Sequence, residues 1–310
     1  STNLTTEEQD NTNIASLDAD GFTLGSNVGT NRSGNALVAW CWEAGGAPTA
    51  TNSAGAGATP TAGSVKIDGS NLGSALAGST PAKTLTANTT KGFSIVTYSN
   101  STRNGSQLQV AHGLGATPAW IMTKSRDADN LWFIHHQGLG VGTELLLGGD
   151  YGDDAASGYG FFSAVNSTTF SHDDNGHTSG TNEDIVAYCW AEVSGYSKFG
   201  TFQNNNSNTG TQVTGLGFKP AWIMIKNTDN TERWFIQDNT RQPTNLAPPS
   251  GKFLVTNSSA AEGQNGADTA SIDFQDDGFQ IKTTNPASGE ISFGTRNYIY
   301  MAFADTREAA

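Results

Sequence analysis

The sequence predicts an all-β protein made of tandem antiparallel β-sandwich or jelly-roll modules joined by a low-complexity spacer. Three observations carry this. First, the chain repeats itself: Gly115-Ala-Thr-Pro-Ala-Trp-Ile-Met122 returns as Gly217-Phe-Lys-Pro-Ala-Trp-Ile-Met224, and Trp132-Phe-Ile134 as Trp234-Phe-Ile236. Both pairs share one offset (222 − 120 = 102 and 234 − 132 = 102), so one folding unit is used more than once. Second, apolar residues come in short runs bounded by Asn, Gly, Ser and Thr, which favour turns. Third, no segment sustains a capped 3.6-residue apolar period.

A second repeated string marks the other end of the unit. Val38-Ala-Trp-Cys-Trp42 matches Val186-Ala-Tyr-Cys-Trp190 and, more loosely, Ile299-Tyr-Met-Ala-Phe303. The first gap (186 − 38 = 148) exceeds the repeat because of the Gly/Ala/Ser/Thr-rich stretch 47–90, and the second (299 − 186 = 113) implies loop insertions in the last copy. Residues 1–46 are expected to be the C-terminal half of a module, so that the chain opens in mid-module. Residues 47–90 have few large apolar side chains and read as a linker, within which Ser64–Asp68 can pair as one strand. Residues 91–193 and 194–310 read as two sandwich modules.

Within 1–46, Ile14–Leu17, Asp20–Leu24 and Ala36–Trp42 are β-like runs. The first full module is assigned strands at Phe93–Tyr98, Leu108–His112, Ala119–Lys124, Leu131–His135, Glu144–Leu147, Phe161–Val165 and Ile185–Ala191. The second repeats the order with Tyr196–Phe202, Thr211–Thr214, Ala221–Lys226, Arg233–Gln237, Phe253–Thr256, Ile272–Phe274, Gly278–Lys282 and Asn297–Ala304. Short strands at this spacing argue for antiparallel sandwiches.

Composition sets the exclusions. A net charge of −13 and a pI near 4.6 repel phosphate backbones, so nucleic acid is not an expected partner. There is no run of 18 apolar residues, hence no expected membrane span. Apolar content of 35% suits two or three modest cores rather than one large one. Cys41 and Cys189 occupy the same slot in two copies, with Ala302 in the third, and read as small buried apolar side chains rather than a disulfide.

The string Lys91–Tyr98 leading to Ala111-His-Gly-Leu-Gly115 and Pro118–Met122 resembles a module of tailed-bacteriophage virion proteins of the marine and cyanophage type. Val186–Trp190 leading to Gly195–Gly200, the ending Tyr298–Ala304 and the spacer string Gly63–Gly69 are similar to it as well. The resemblance covers nearly the whole chain. It implies a lectin-like sandwich and a virion, extracellular location, in a tail fibre, spike or other surface appendage that attaches to a host glycan. Other virion proteins and a homotrimeric assembly follow by analogy. It brings no catalytic residues and no cofactor. The other readings are a head or baseplate decoration, a polysaccharide depolymerase and a cellular adhesin with phage-like modules.

The residues able to carry chemistry are few. Trp120, Trp132, Trp190, Trp222 and Trp234 recur in apolar strand runs and are expected to be core, although exposed indoles can stack on sugars. Ser171-His-Asp-Asp-Asn-Gly-His177 is the densest polar cluster, but lacks calcium-loop spacing and reads as a solvated turn aligned with Asp276-Asp277-Gly278 and Asp18–Gly21. His172, Asp173 and Asp174 in it, with Asp150, Tyr151, Asp153 and Asp154 of an acidic loop, are the candidate ligand-binding residues. The depolymerase reading needs two of these carboxylates in one groove. No metal site is expected. His135 and His136 are adjacent on a strand, point to opposite faces and do not chelate simply.

Overall fold

A computed structural model describes residues 8, 13–100, 107–147, 160–173, 182–207, 210–247, 252–256, 262, 270–283, 291 and 294–305. Among these, every regular element is a β-strand. The order is β1 (Ile14–Asp18), β2 (Gly21–Leu24), β3 (Val65–Ile67), β4 (Ser70–Asn71), β5 (Thr84–Asn88), β6 (Phe93–Ser99) and β7 (Gln107–Ala111). Then come β8 (Pro118–Ser125), β9 (Trp132–His136), β10 (Leu145–Leu147), β11 (Phe162–Val165), β12 (Thr169–Asp173) and β13 (Asp184–Ala191). The second repeat supplies β14 (Ser197–Gln203), β15 (Thr211–Thr214), β16 (Pro220–Asn227), β17 (Trp234–Asp238), β18 (Leu254–Val255), β19 (Ala270–Gln275), β20 (Gly278–Thr283) and β21 (Asn297–Ala304).

Each repeat is a large sheet facing a small one. In the first, the sheet β10-β9-β8-β13-β6-β5-β3-β4 faces β11-β12-β7. In the second, β14-β21-β16-β17-β18 faces β15-β20-β19. Val96, Ile121, Ile185 and Cys189 meet Val110, Phe162 and Phe170 in the first core. Ile223, Ile225, Tyr298 and Ala302 meet Val213, Ile272, Phe279 and Ile281 in the second.

Alternation along a strand decides the rest. Ile121 and Ile223 point into their own sandwiches, so Trp120, Met122, Trp222 and Met224 point outward. These outward faces are apolar in both repeats, and they bury each other. Phe93, Trp120, Ile134, Leu147 and Trp190 of the first repeat form a third core with Phe199, Trp222, Trp234, Ile236, Met301 and Phe303 of the second. The two sandwiches therefore stand back to back as one stack of four sheets. The repeated tryptophans are buried as the sequence predicts, but between modules rather than inside either one. Trp132 is only half-buried there.

Specific bonds fix the joint. The Trp234 Nε1–H donates to the Leu146 carbonyl at 3.1 Å, and its indole meets Trp120 edge-to-face at 5.8 Å. The Gln137 amide donates to the Phe199 carbonyl at 2.7 Å, and the His136 Nε2 lies 3.3 Å from the Tyr300 carbonyl. A Cβ on Gly138 would stand 2.4 Å from Thr201 Cγ2, so the turn after β9 requires glycine to approach β14.

Three expectations are corrected. The stretch 47–90 is not a linker: β3 and β5 pair in parallel and extend the large sheet, with Val65, Leu85 and Ala87 in the first core. Small side chains suffice there, because Leu85 and Ala87 need only their neighbours' side chains to make a buried face. Residues 36–42 form no strand; they run as an extended strap along the joint. Trp42 sits edge-on to Trp190 of one module and to Trp222 and Phe303 of the other, at 5.5 to 5.9 Å. The strap then reaches β5, where a Cβ on Gly45 would lie 1.8 Å from the Ala87 carbonyl oxygen. Finally, Cys41 is exposed while Cys189 is buried. The strap keeps Trp40 and Trp42 against the joint, so Cys41 between them faces away, with no small sheet over it.

Candidate functional site

Of the ligand-binding candidates, only His172 and Asp173 lie among the described residues. Asp150, Tyr151, Asp153, Asp154 and Asp174 lie outside the described residues. His172 is not in a solvated turn: it belongs to β12, is fully buried, and its Nε2 lies 2.7 Å from the Tyr98 hydroxyl in the first core. Its ring stacks on Phe161 at 4.3 Å. Burial, reinforced by Cys189, pushes the Tyr98 phenol well above its ordinary range. Asp173 ends the strand, half-exposed.

The turn alignment also shifts. Asp276–Asp277 connects β19 to β20 and residues 19–20 connect β1 to β2, but the matching β11–β12 connection is Asn166-Ser167-Thr168. There Asn166 Oδ1 accepts from the Thr168 and Thr169 amides at 2.9 Å, as an Asx turn does. Asp277 performs the same service in the second repeat, accepting from the Gly215 and Gly217 amides. In both turns the side-chain oxygen holds backbone amides.

The paired histidines behave as the alternation argument requires. His135 faces Phe162 in the first core, and His136 faces Trp120 in the joint at 5.5 Å. Burial pushes both down to about 4, as it does His112. They are neutral packing groups. Burial also pushes the Cys189 thiol up to about 12, which removes it as a nucleophile. No group of three His, Cys, Asp or Glu side chains among the described residues could hold a metal ion.

A concave polar site is present elsewhere, at one end of the second sandwich. Lys219, Asn239, Gln242, Pro243, Asn245, Phe274 and Asp305 line a cavity of about 230 Å³. Three segments build it. Lys219 precedes β16, Asp305 follows β21, and the Asp305 amide donates to the Lys219 carbonyl at 3.0 Å. Asn239 opens the turn after β17, and its amide side chain donates to Asp305 Oδ2 at 2.6 Å. Asn245 is held against β19 by paired bonds with the Phe274 backbone. Gln242 is buried: its Oε1 accepts from the Lys252 amide at 2.9 Å, and its Nε2–H₂ has no acceptor among the described residues.

Arg241 stiffens this corner. Its guanidinium pairs with Asp238 at 2.7 Å, and the same carboxylate accepts from Trp40 Nε1 at 3.1 Å. Burial would raise the Asp238 pKa, but the bonds from Arg241 and Trp40 outweigh it and hold the group below the ordinary carboxylate value. This site was not visible in the sequence. Its members are scattered over 219–305, and its one local signal is Lys219, where the first repeat has the uncharged Thr117 (219 − 117 = 102).

The profile of a family described as a domain of unknown function (DUF7483) matches residues 1–68 and 68–307. The chain belongs to this family. No curated protein and no solved structure matches it.

Proposed function

We propose that this chain is a non-enzymatic structural component of a phage virion surface, in a tail fibre, spike or comparable appendage that attaches to a host glycan. The observation that carries the reading is the fusion of two repeated sandwiches into one body through a third, tryptophan-rich core. Such a joint resists shear between modules and leaves the loop ends of both sandwiches for contact. The module strings at 91–122 and 186–200, similar to those of tailed-phage virion proteins, support the location. Shallow polar loop surfaces bind weakly one at a time, so a homo-oligomer, with several copies on one particle, supplies avidity.

Gold-labelled antibody against the chain, viewed on intact particles by cryo-electron microscopy, tests this. Label on tail or baseplate appendages is the expected result. Label spread over the head favours the decoration reading, and label on no particle overturns the virion assignment.

A further inference from the structure

We propose that the cavity between Lys219, Asn239, Gln242 and Asp305 is a saccharide subsite that takes one neutral sugar ring. The proposal rests on the glycan-attachment reading and assigns it a place. Four observations lead to it.

The first is chemical. Gln242 Nε2 is a buried donor without an acceptor among the described residues, and leaving such a group unmatched is costly. Lys219 lines the same cavity, as does Asn239, whose side-chain nitrogen is committed to Asp305. Donors and acceptors side by side suit hydroxyl groups, which are both.

The second is electrostatic. Lys219 and Asp305 bring one positive and one negative charge to the cavity. Their sum favours a neutral polar ligand over an anion or a cation.

The third is size. About 230 Å³ lies below the roughly 300–1,000 Å³ of sites that enclose drug-sized ligands, and so suits one ring rather than a chain.

The fourth comes from the repeat. At the same offset the first module carries Thr117 for Lys219 and Gly140 for Gln242 (242 − 140 = 102), and folds with neither the ammonium nor the buried amide side chain. Its Gln137, the counterpart of Asn239, is spent on the joint through the Phe199 carbonyl. The repeated sandwich frame folds without this polar set, which is particular to the second module.

Saturation-transfer NMR with the full chain and a panel of methyl glycosides of neutral hexoses and N-acetylhexosamines tests the proposal. Transfer to at least one glycoside is expected. It should weaken at least about tenfold in Lys219→Ala, a half-exposed rim position, and in Gln242→Met, which removes the donor. Circular dichroism and thermal melts matching the parent show that the variants fold; Lys219→Ala alone suffices if Gln242→Met does not. Binding undiminished in Lys219→Ala overturns this subsite while leaving glycan attachment standing at another surface. No transfer to any glycoside by the parent chain overturns the subsite, and if the chain also fails to bind extracted host-surface polysaccharide, glycan attachment falls with it. Preference for a uronic acid methyl glycoside over every neutral one contradicts the neutral assignment.

Discussion

The two sandwiches share a frame but spend equivalent positions differently. After β9, Gln137 and Gly138 of the first module press against β14 of the second and help close the joint. After β17, the equivalent Asn239 faces a solvent-open cavity with Lys219, Gln242 and Asp305. One corner of the repeated unit closes the joint, and the other stays open to solvent. The joint also departs from two-fold regularity: Trp120 meets Trp234, whereas Trp222 packs against Trp40 and Trp42 of the strap. Duplication supplied the faces, and local sequence decided what each one buries.

The strongest way to break the joint is Trp234→Ala. The indole is fully buried and bonded to the first module, so a loss of about 3–5 kcal/mol is expected, with unfolding separating into two steps. Urea titration followed by circular dichroism and tryptophan fluorescence reads both effects.

Acid should act on the joint and the first core together. His135, His136 and His112 stay neutral in the fold down to about pH 4, while the unfolded chain takes up protons near pH 6.5. Stability is therefore full above pH 6.5 and falls as pH drops from 6.5 toward 4, by up to about 3 kcal/mol for each ring. Melting temperatures across that range should show the decline, and a flat profile would contradict the burial of these rings.

Trp42→Ala removes the wedge between the modules. Three edge-on ring contacts at about 0.5–1.5 kcal/mol each set the expected loss at about 2 kcal/mol, with unfolding still in one step. The smallest effect contrasts the two equivalent cysteines. Cys41→Ser should change stability by less than about 0.5 kcal/mol, and Cys189→Ser should cost about 1–3 kcal/mol. In the native chain Cys41 should react with a thiol reagent and Cys189 only after unfolding.

The strands were largely legible in the sequence, because short apolar runs between Asn/Gly turns leave little choice of element. Thr169–Asp173 was missed: its His and Asp disguised a buried strand whose polar ring is satisfied by Tyr98. Low complexity hides β5 in the stretch 47–90, although its Leu85, Thr86 and Ala87 are all buried. The joint had a sign in Trp120-Ile-Met122 and Trp222-Ile-Met224. Apolar residues at both parities of a strand mean that both of its faces are covered. What covers the second face is a long-range fact, which no local pattern carries. The candidate cavity was illegible for the same reason, since Lys219, Gln242 and Asp305 meet only after β16, β17 and β21 pair.

The central claim is that the two repeats form one body. Equilibrium unfolding of the full chain, followed at once by far-ultraviolet circular dichroism and tryptophan fluorescence, tests it most directly. Coincident single transitions are expected, because the indoles report the joint and the circular dichroism reports both sandwiches. A fluorescence transition that precedes the loss of strand signal in the parent chain would show that the modules part before they unfold, and would contradict the account.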